Sequence, residues 1–167
     1  MPNDIEFRLA TVSEAEQLAA MSRDLIEQGL GWAWTPSRIT RHIRIPDSVV
    51  LVAQSQEQII GFAIMQFGEE EAHLDLLAVK PKYQRTGIGR QLIEWLEKSS
   101  LVAGISIIYL EVRSKNKDAQ MFYERLGYHH IRHVHGYYSD RESAVCMAID
   151  LWHSTQQKNQ HLFDLDQ

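Results

Sequence analysis

The chain has 167 residues, 44% hydrophobic and 23% charged, which suits one domain with a sizeable core and excludes disordered and fibrous readings. A formal net charge of −5 disfavours nucleic acid as the main partner, because a phosphate backbone is met by a basic field. Cys146 is the only cysteine, so an intramolecular disulfide and a cysteine-based zinc site are excluded. Its place in the apolar run 144–148 reads as a small core residue.

Met1-Pro2-Asn3-Asp4 shows no basic segment leading into an apolar one, and no apolar run approaches the roughly 20 residues of a membrane span. The expectation is a cytoplasmic protein with no membrane partner: a single domain over 1–152, then a polar tail over 153–167. No repeat or Pro/Gly/Ser-rich linker divides the chain.

In chain order, 5–9 alternates apolar and polar residues as a half-buried strand does. Ser13 reads as an N-cap with Glu16 as its capping-box partner. The helix that follows carries Leu18, Met21, Leu25 and Ile26 on one stripe and should end near Gly29. A loop over 31–36 precedes a short helix over 37–45. Residues 49–53 and 59–67 read as strands joined by the polar turn 54–58, and the acidic turn 69–71 leads to a fourth strand over 72–79. Period-two alternation places His73, Asp75 and Leu77 of that strand on one face.

From Gly87 to about Ser99 the residues Ile88, Leu92, Ile93, Trp95 and Leu96 follow helical spacing. Residues 105–112 are almost all apolar, as in a strand buried on both faces. A helix over 118–126 stops at Gly127. Final strands over 128–134 and 143–151 bracket the loop Gly136-Tyr137-Tyr138-Ser139-Asp140. Helices alternate with strands in the second half and hairpins fill the middle, so the class is α/β with a mixed sheet.

The loop Gln84-Arg85-Thr86-Gly87-Ile88-Gly89 follows a strand and opens a helix. Backbone N–H groups at a helix start lack intrahelical partners and carry the positive end of the dipole, so they bind anions, phosphate above all. Glycine lets the anion approach the backbone, and Arg85 adds a cation. A P-loop is excluded because G-x-x-x-x-G-K-[ST] is absent, and a dinucleotide fingerprint fails because Leu92 stands at its third glycine. Alone, the glycine pair could equally make a tight strand-to-helix turn.

Its surroundings decide more. Leu77-Ala78-Val79-x-Pro81-x-Tyr83-Gln84-Arg85-x-Gly87-Ile88-Gly89-x-x-Leu92 resembles the acetyl-CoA motif of the GNAT superfamily. Downstream, Leu110-Glu111-Val112-x-x-x-Asn116 and Phe122-Tyr123-x-x-Leu126-Gly127-Tyr128 fit the same family in order and spacing. The resemblance covers about 59–151, and within the superfamily it is nearest to acetyltransferases of protein N-termini. It implies the GNAT fold, a mixed, mostly antiparallel sheet of about seven strands splayed between the fourth and fifth, flanked by about four helices.

The resemblance also implies an acetyl-CoA-dependent N-acetyltransferase that needs no metal. Its acceptor would be the primary amine of a protein N-terminus or of a small molecule. A non-catalytic CoA-binding regulatory module is the alternative. Cofactor contacts would come from the backbone of Leu77, Ala78 and Val79, from Gln84 to Gly89, and from Asn116, which reads equally well as a helix N-cap. Tyr123 matches the residue that protonates the leaving thiolate, though an aromatic there could simply pack the helix on the sheet. Glu111 matches the general base, against a carboxylate paired with Arg113 or Lys115 or turned to solvent. His73 or Asp75 on the fourth strand is the rival base.

Tyr137 and Tyr138 read as acceptor-site wall or as an ordinary aromatic turn. His129, His133 and His135 invite a metal reading that lacks a carboxylate at ligand spacing. Trp32 and Trp34 sit in a Gly- and Pro-flanked loop that could select the acceptor, plug the core or meet a second subunit. Trp152, Leu162, Phe163 and Leu165 could make a homodimer contact.

Overall fold

The computed structural model describes residues 4–138 and 142–164. Seven strands form one sheet: β1 (Ile5–Leu9), β2 (Ser48–Ser55), β3 (Gln58–Phe67), β4 (Glu71–Val79), β5 (Ile107–Arg113), β6 (His129–Tyr138) and β7 (Glu142–Asp150). Their order is β1-β2-β3-β4-β5-β7-β6. β4 and β5 are parallel, and the remaining neighbours are antiparallel. The described residues hold five α-helices: α1 (Ala15–Leu25), α2 (Pro36–Arg44), α3 (Ile88–Val102), α4 (Lys117–Arg125) and α5 (Leu151–Asp164).

Alternation sends the two sets of β2 side chains into different cores. Leu51 and Ala53 join the cluster built with Ile88, Leu92 and Leu96 of α3, whereas Val50 and Val52 join Leu18 and Ala19 of α1 and Ile39 of α2. The sheet is therefore the middle of three layers.

β4 departs from strict alternation, and the departure shapes the site. Its register against β3 runs Met65↔Leu74 and then Ile64↔Leu76, leaving Asp75 opposite no residue. Such a bulge kinks a strand and re-aims its side chains. Ala72 and Leu74 face the α3 side, but beyond the bulge Leu76 and Ala78 face α1 and Leu77 and Val79 return to the α3 side. Leu77 thus stands on the face opposite His73, contrary to the single-face reading. The bulge also falls where β4 leaves β5, since the parallel pairing stops at Leu74↔Leu110.

Several boundaries move for identifiable reasons. The capping box is built by Thr11 and Glu14, not Ser13 and Glu16, around a short 3-10 turn at Val12–Glu14. Arg8 holds the Glu14 carboxylate at 2.7 Å and supports that choice. α1 ends at Leu25, and Gly29 is a loop residue at φ 76°. α2 starts one residue early because Thr35 caps it and Pro36 fits the first turn.

β5 is buried on one face only: Ile108, Leu110 and Val112 are buried while Ile107, Tyr109 and Glu111 are half-buried. β6 runs on through Gly136 and Tyr137 to Tyr138, where a loop was expected. Ser139 and Asp140 lie outside the described residues, as does the side chain of Tyr138. The segment read as a polar tail is mostly the helix α5. Leu165 and the side chains of Leu162 and Phe163 lie outside the described residues, while Trp152 is two-thirds exposed at the start of α5.

Candidate active site

Where β4 and β5 separate, β4 offers open backbone. Lys80 donates its N–H to Ile60 O at 2.8 Å, so Lys80 points its backbone toward β3. Alternation gives Ala78 the same direction and turns the N–H and C=O groups of Leu77 and Val79 into the gap. The Gln84 side chain donates to Val79 O at 2.9 Å and ties the gap to the glycine loop.

That loop makes a left-handed turn into α3. Arg85 has φ 61° and Gly87, the cap residue of α3, has φ 89°. The chain thereby turns sharply before α3, whose first N–H groups face outward without intrahelical partners. Thr86 Oγ1 donates to Tyr83 O and braces the turn. Gly89 has a different function from Gly87, because a Cβ there would lie 3.3 Å from Phe122 Cζ. It lets α3 and α4 approach, and the spacing of the two glycines reflects packing as well as anion access.

One cleft of about 620 Å³ opens where β4 and β5 separate. Its floor includes His73, Asp75, Leu77, Glu111, Asn116 and Tyr123; Leu25, Ile26, Leu30 and Trp34 roof it, and Tyr137 stands at its side. Glu111 and Tyr123, named from the sequence, are thus brought together with the open edge of β4. Tyr123 is buried on α4, with its ring edge-on to Tyr128 and Phe122. Asn116 caps α4 by accepting the Ala119 N–H at 3.1 Å, and it also lines the cleft.

The candidate bases are hydrogen-bonded neighbours. His73 Nδ1 lies 2.6 Å from Asp75 Oδ1, and His73 Nε2 is hydrogen-bonded to Glu111 Oε2. Gln66, exposed on β3, donates to the other Asp75 oxygen at 2.6 Å. Burial pulls the His73 pKa down, but hydrogen bonds and charge from Asp75 and Glu111 outweigh it and raise it to about 9. Tyr137 is pushed up to about 12 by burial, by the Glu111 charge and by a hydrogen bond to Glu111. Cys146, opposite Glu111 in the sheet, is buried, and burial and the Glu111 charge push its thiol up. Arg113 pairs with Glu142 at 3.6 Å and donates to Ile26 O at 2.7 Å.

Sequence reasoning missed Glu27. Its buried carboxylate accepts from Ser22 Oγ at 2.9 Å and from the N–H groups of Ala33 and Trp34 at 2.7 and 3.2 Å. An acidic residue just past an amphipathic helix gave no signal of that task. Trp34 is buried against His42, with the Arg38 guanidinium 3.8 Å from its ring centre, so it both plugs the core and roofs the cleft. Trp32 is 42% exposed and donates to Ala19 O at 3.3 Å.

The histidines of β6 have separate partners. His133 pairs with Ser114 at 2.8 Å and His130 with Glu124 at 2.9 Å. His133 and His135 stack edge-on, with centroids 4.6 Å apart. Among the described residues no three His, Cys, Asp or Glu side chains converge as metal ligands. No helix among them is long and apolar enough to cross a membrane.

Comparison with known proteins settles the family. The acetyltransferase (GNAT) family pattern matches residues 18–128. The chain belongs to that family. It is 40% identical over 100 residues to the ribosomal protein bS18-alanine N-acetyltransferase of Haemophilus ducreyi, over 58% of this chain and 69% of that protein. The Escherichia coli K12 counterpart is 38% identical over 97 residues, and the chain spans about two thirds of its length, 66%. The crystal structure of the Escherichia coli ribosomal-protein-S18-alanine N-acetyltransferase superposes with a TM-score of 0.73 at 29% identity, covering 89% of this GNAT chain and 94% of that one. The PaiA N-acetyltransferase of Thermoplasma acidophilum, solved with coenzyme A, shares the fold with a TM-score of 0.77 at 21% identity, covering 88% and 99%. This GNAT chain is an N-acetyltransferase.

Proposed function

We propose that this GNAT protein transfers an acetyl group from acetyl-CoA to the α-amine of a protein N-terminus, with residues 1–152 as the catalytic unit. The observation that carries the reading is the cleft in which Glu111, Tyr123 and Leu77 meet, beside the stretch of β4 that no longer pairs with β5. The similarity to bS18-alanine N-acetyltransferases supports a peptide acceptor.

The residues present fit acetyl-CoA. The αL turn at Gly87 and the free N–H groups of α3 suit the pyrophosphate, with Arg85 as its cation. The open edge at Leu77 and Val79 suits the amides of pantetheine as a short added strand. When bound, acetyl-CoA supplies an activated thioester carbonyl. The Val79 N–H, aimed into the gap, meets the thioester oxygen and stabilises the charge that develops there. Glu111 takes the ammonium proton of the acceptor, so that a neutral amine attacks. Tyr123 donates its phenolic proton to the departing thiolate, a group of comparable basicity.

Thiol release from acetyl-CoA, measured with N-terminal peptides, polyamines and aminoglycosides, tests the reading. Turnover is expected with peptides presenting a free α-amine. Tight CoA binding without turnover on any acceptor would leave a non-catalytic CoA-binding module instead, and turnover confined to small amines would move the acceptor to that class.

A further inference from the structure

The three candidate bases considered from the sequence lie in one hydrogen-bonded row running Gln66, Asp75, His73, Glu111 across β3, β4 and β5. Tyr137 of β6 reaches the same Glu111 carboxylate from the far side. An ionised carboxylate only accepts hydrogen bonds, and a neutral imidazole donates from one nitrogen alone. A ring with a carboxylate at each nitrogen is fully satisfied only when both nitrogens carry protons. We propose that His73 is a positioning residue: as an imidazolium bridging Asp75 and Glu111, it fixes the Glu111 carboxylate in one orientation toward the acceptor amine. This rests on the reading of Glu111 as the base.

The surroundings agree with that state. The half-exposed His73 ring leaves room for the cation to remain partly hydrated. Of the other groups nearby, His42 of α2 is held neutral by burial. Tyr137 keeps its proton, and so does the Cys146 thiol, so neither adds a charge against Glu111. Glu27 is engaged by Ser22, Ala33 and Trp34, and Arg113 pairs with Glu142. Asp75 and Glu111 are therefore the charges that meet the ring directly. With one Glu111 oxygen on His73 and a bond to Tyr137, lone pairs remain free to take the ammonium proton. His73 itself, already carrying both protons, cannot act as the base.

Two measurements test this. In spectra of 15N-histidine-labelled protein, the resonances lost in His73→Gln identify the ring, which should show both nitrogens protonated at pH 7. A neutral tautomer at pH 7 overturns the proposal. In steady-state kinetics, His73→Gln should lower kcat/KM for the acceptor at pH 7 about tenfold or more and leave KM for acetyl-CoA unchanged. Removal of an adjacent cation should move the acid limb of the kcat/KM profile up by roughly 1–3 pH units. Asp75→Asn should move it the same way by less. Unmoved acid limbs in both variants overturn the proposal while leaving Glu111 as base if Glu111→Gln is inactive. If Glu111→Gln instead keeps the wild-type rate and profile, the base assignment itself fails.

Discussion

The carboxylate of Glu27 accepts the backbone N–H of Trp34 at 3.2 Å, and through that bond the turn after α1 holds the loop that roofs the cleft. The neighbouring Ala33 N–H binds the same oxygen at 2.7 Å, so the two loop donors share one buried acceptor. Glu27→Ala leaves both without a partner, at an expected cost of about 1–3 kcal/mol in urea unfolding. The loop should loosen, so KM for the acceptor should rise while CoA affinity stays constant. Glu27→Gln retains an acceptor oxygen and should lie between wild type and alanine on both counts.

The two glycines of the phosphate loop should fail differently. At Gly87 an added Cβ meets nothing closer than Gln91 Nε2 at 3.8 Å, so Gly87→Ala is penalised by its φ of 89°, by roughly 1–2 kcal/mol. Its distortion falls on the proposed phosphate site and should raise KM for acetyl-CoA. Gly89→Leu would drive a side chain into Phe122, and overpacking of this kind costs about 1–3 kcal/mol. Phe122 adjoins Tyr123 on α4, so the change should lower kcat as well. Calorimetric CoA titration beside steady-state kinetics separates the two patterns.

Much of this arrangement was legible in the sequence because it depends on local chemistry. The glycine loop and the alternating strands follow from residue type and spacing along the chain, whereas Glu111, Asn116 and Tyr123 were marked by the resemblance to the GNAT family. The bulge at Asp75 did not, because no glycine or proline marks it; it arises from the mismatch of β3 and β4 registers, a relation between strands. The same limit hid the pairing of His73 with Glu111, which are 38 residues apart. Read singly, each was a rival base, and only the parallel pairing at His73↔Tyr109 sets them side by side. Glu27 was illegible for a related reason, since its partners are backbone N–H groups that any sequence would supply.

Tyr123→Phe removes the proposed acid and keeps the ring contacts with Tyr128 and Phe122. Loss of a general acid typically lowers the rate by about 10²-fold or more, so kcat should fall by that order. KM for acetyl-CoA should hardly change, because the groups proposed to bind it are the β4 backbone and the start of α3. An acyl donor with a more acidic thiol leaving group needs less protonation and should narrow the gap between variant and wild type. If the gap is the same for both donors, Tyr123 is not the acid.

Glu97 of α3 carries a pH dependence unrelated to catalysis. Burial raises its pKa from the ordinary 4.5 to about 7; Lys158 of α5 opposes this, and Glu94 adds to it. The folded state therefore holds a proton that the unfolded chain has already released between these two values. Proton binding that favours the folded form makes stability fall as pH rises through that window. Below about pH 4.5 the residue is protonated in both states and costs nothing, whereas above about pH 7 the penalty of a buried carboxylate is fully present. Glu97→Gln should thus raise Tm at pH 8, leave it unchanged at pH 4, and flatten the decline between. A Glu97→Gln Tm gain of equal size at pH 4 and pH 8 would mean that side-chain packing, not ionisation, is the cause. Lys158→Met should act oppositely, lowering Tm at pH 8 by removing the cation that offsets the Glu97 charge.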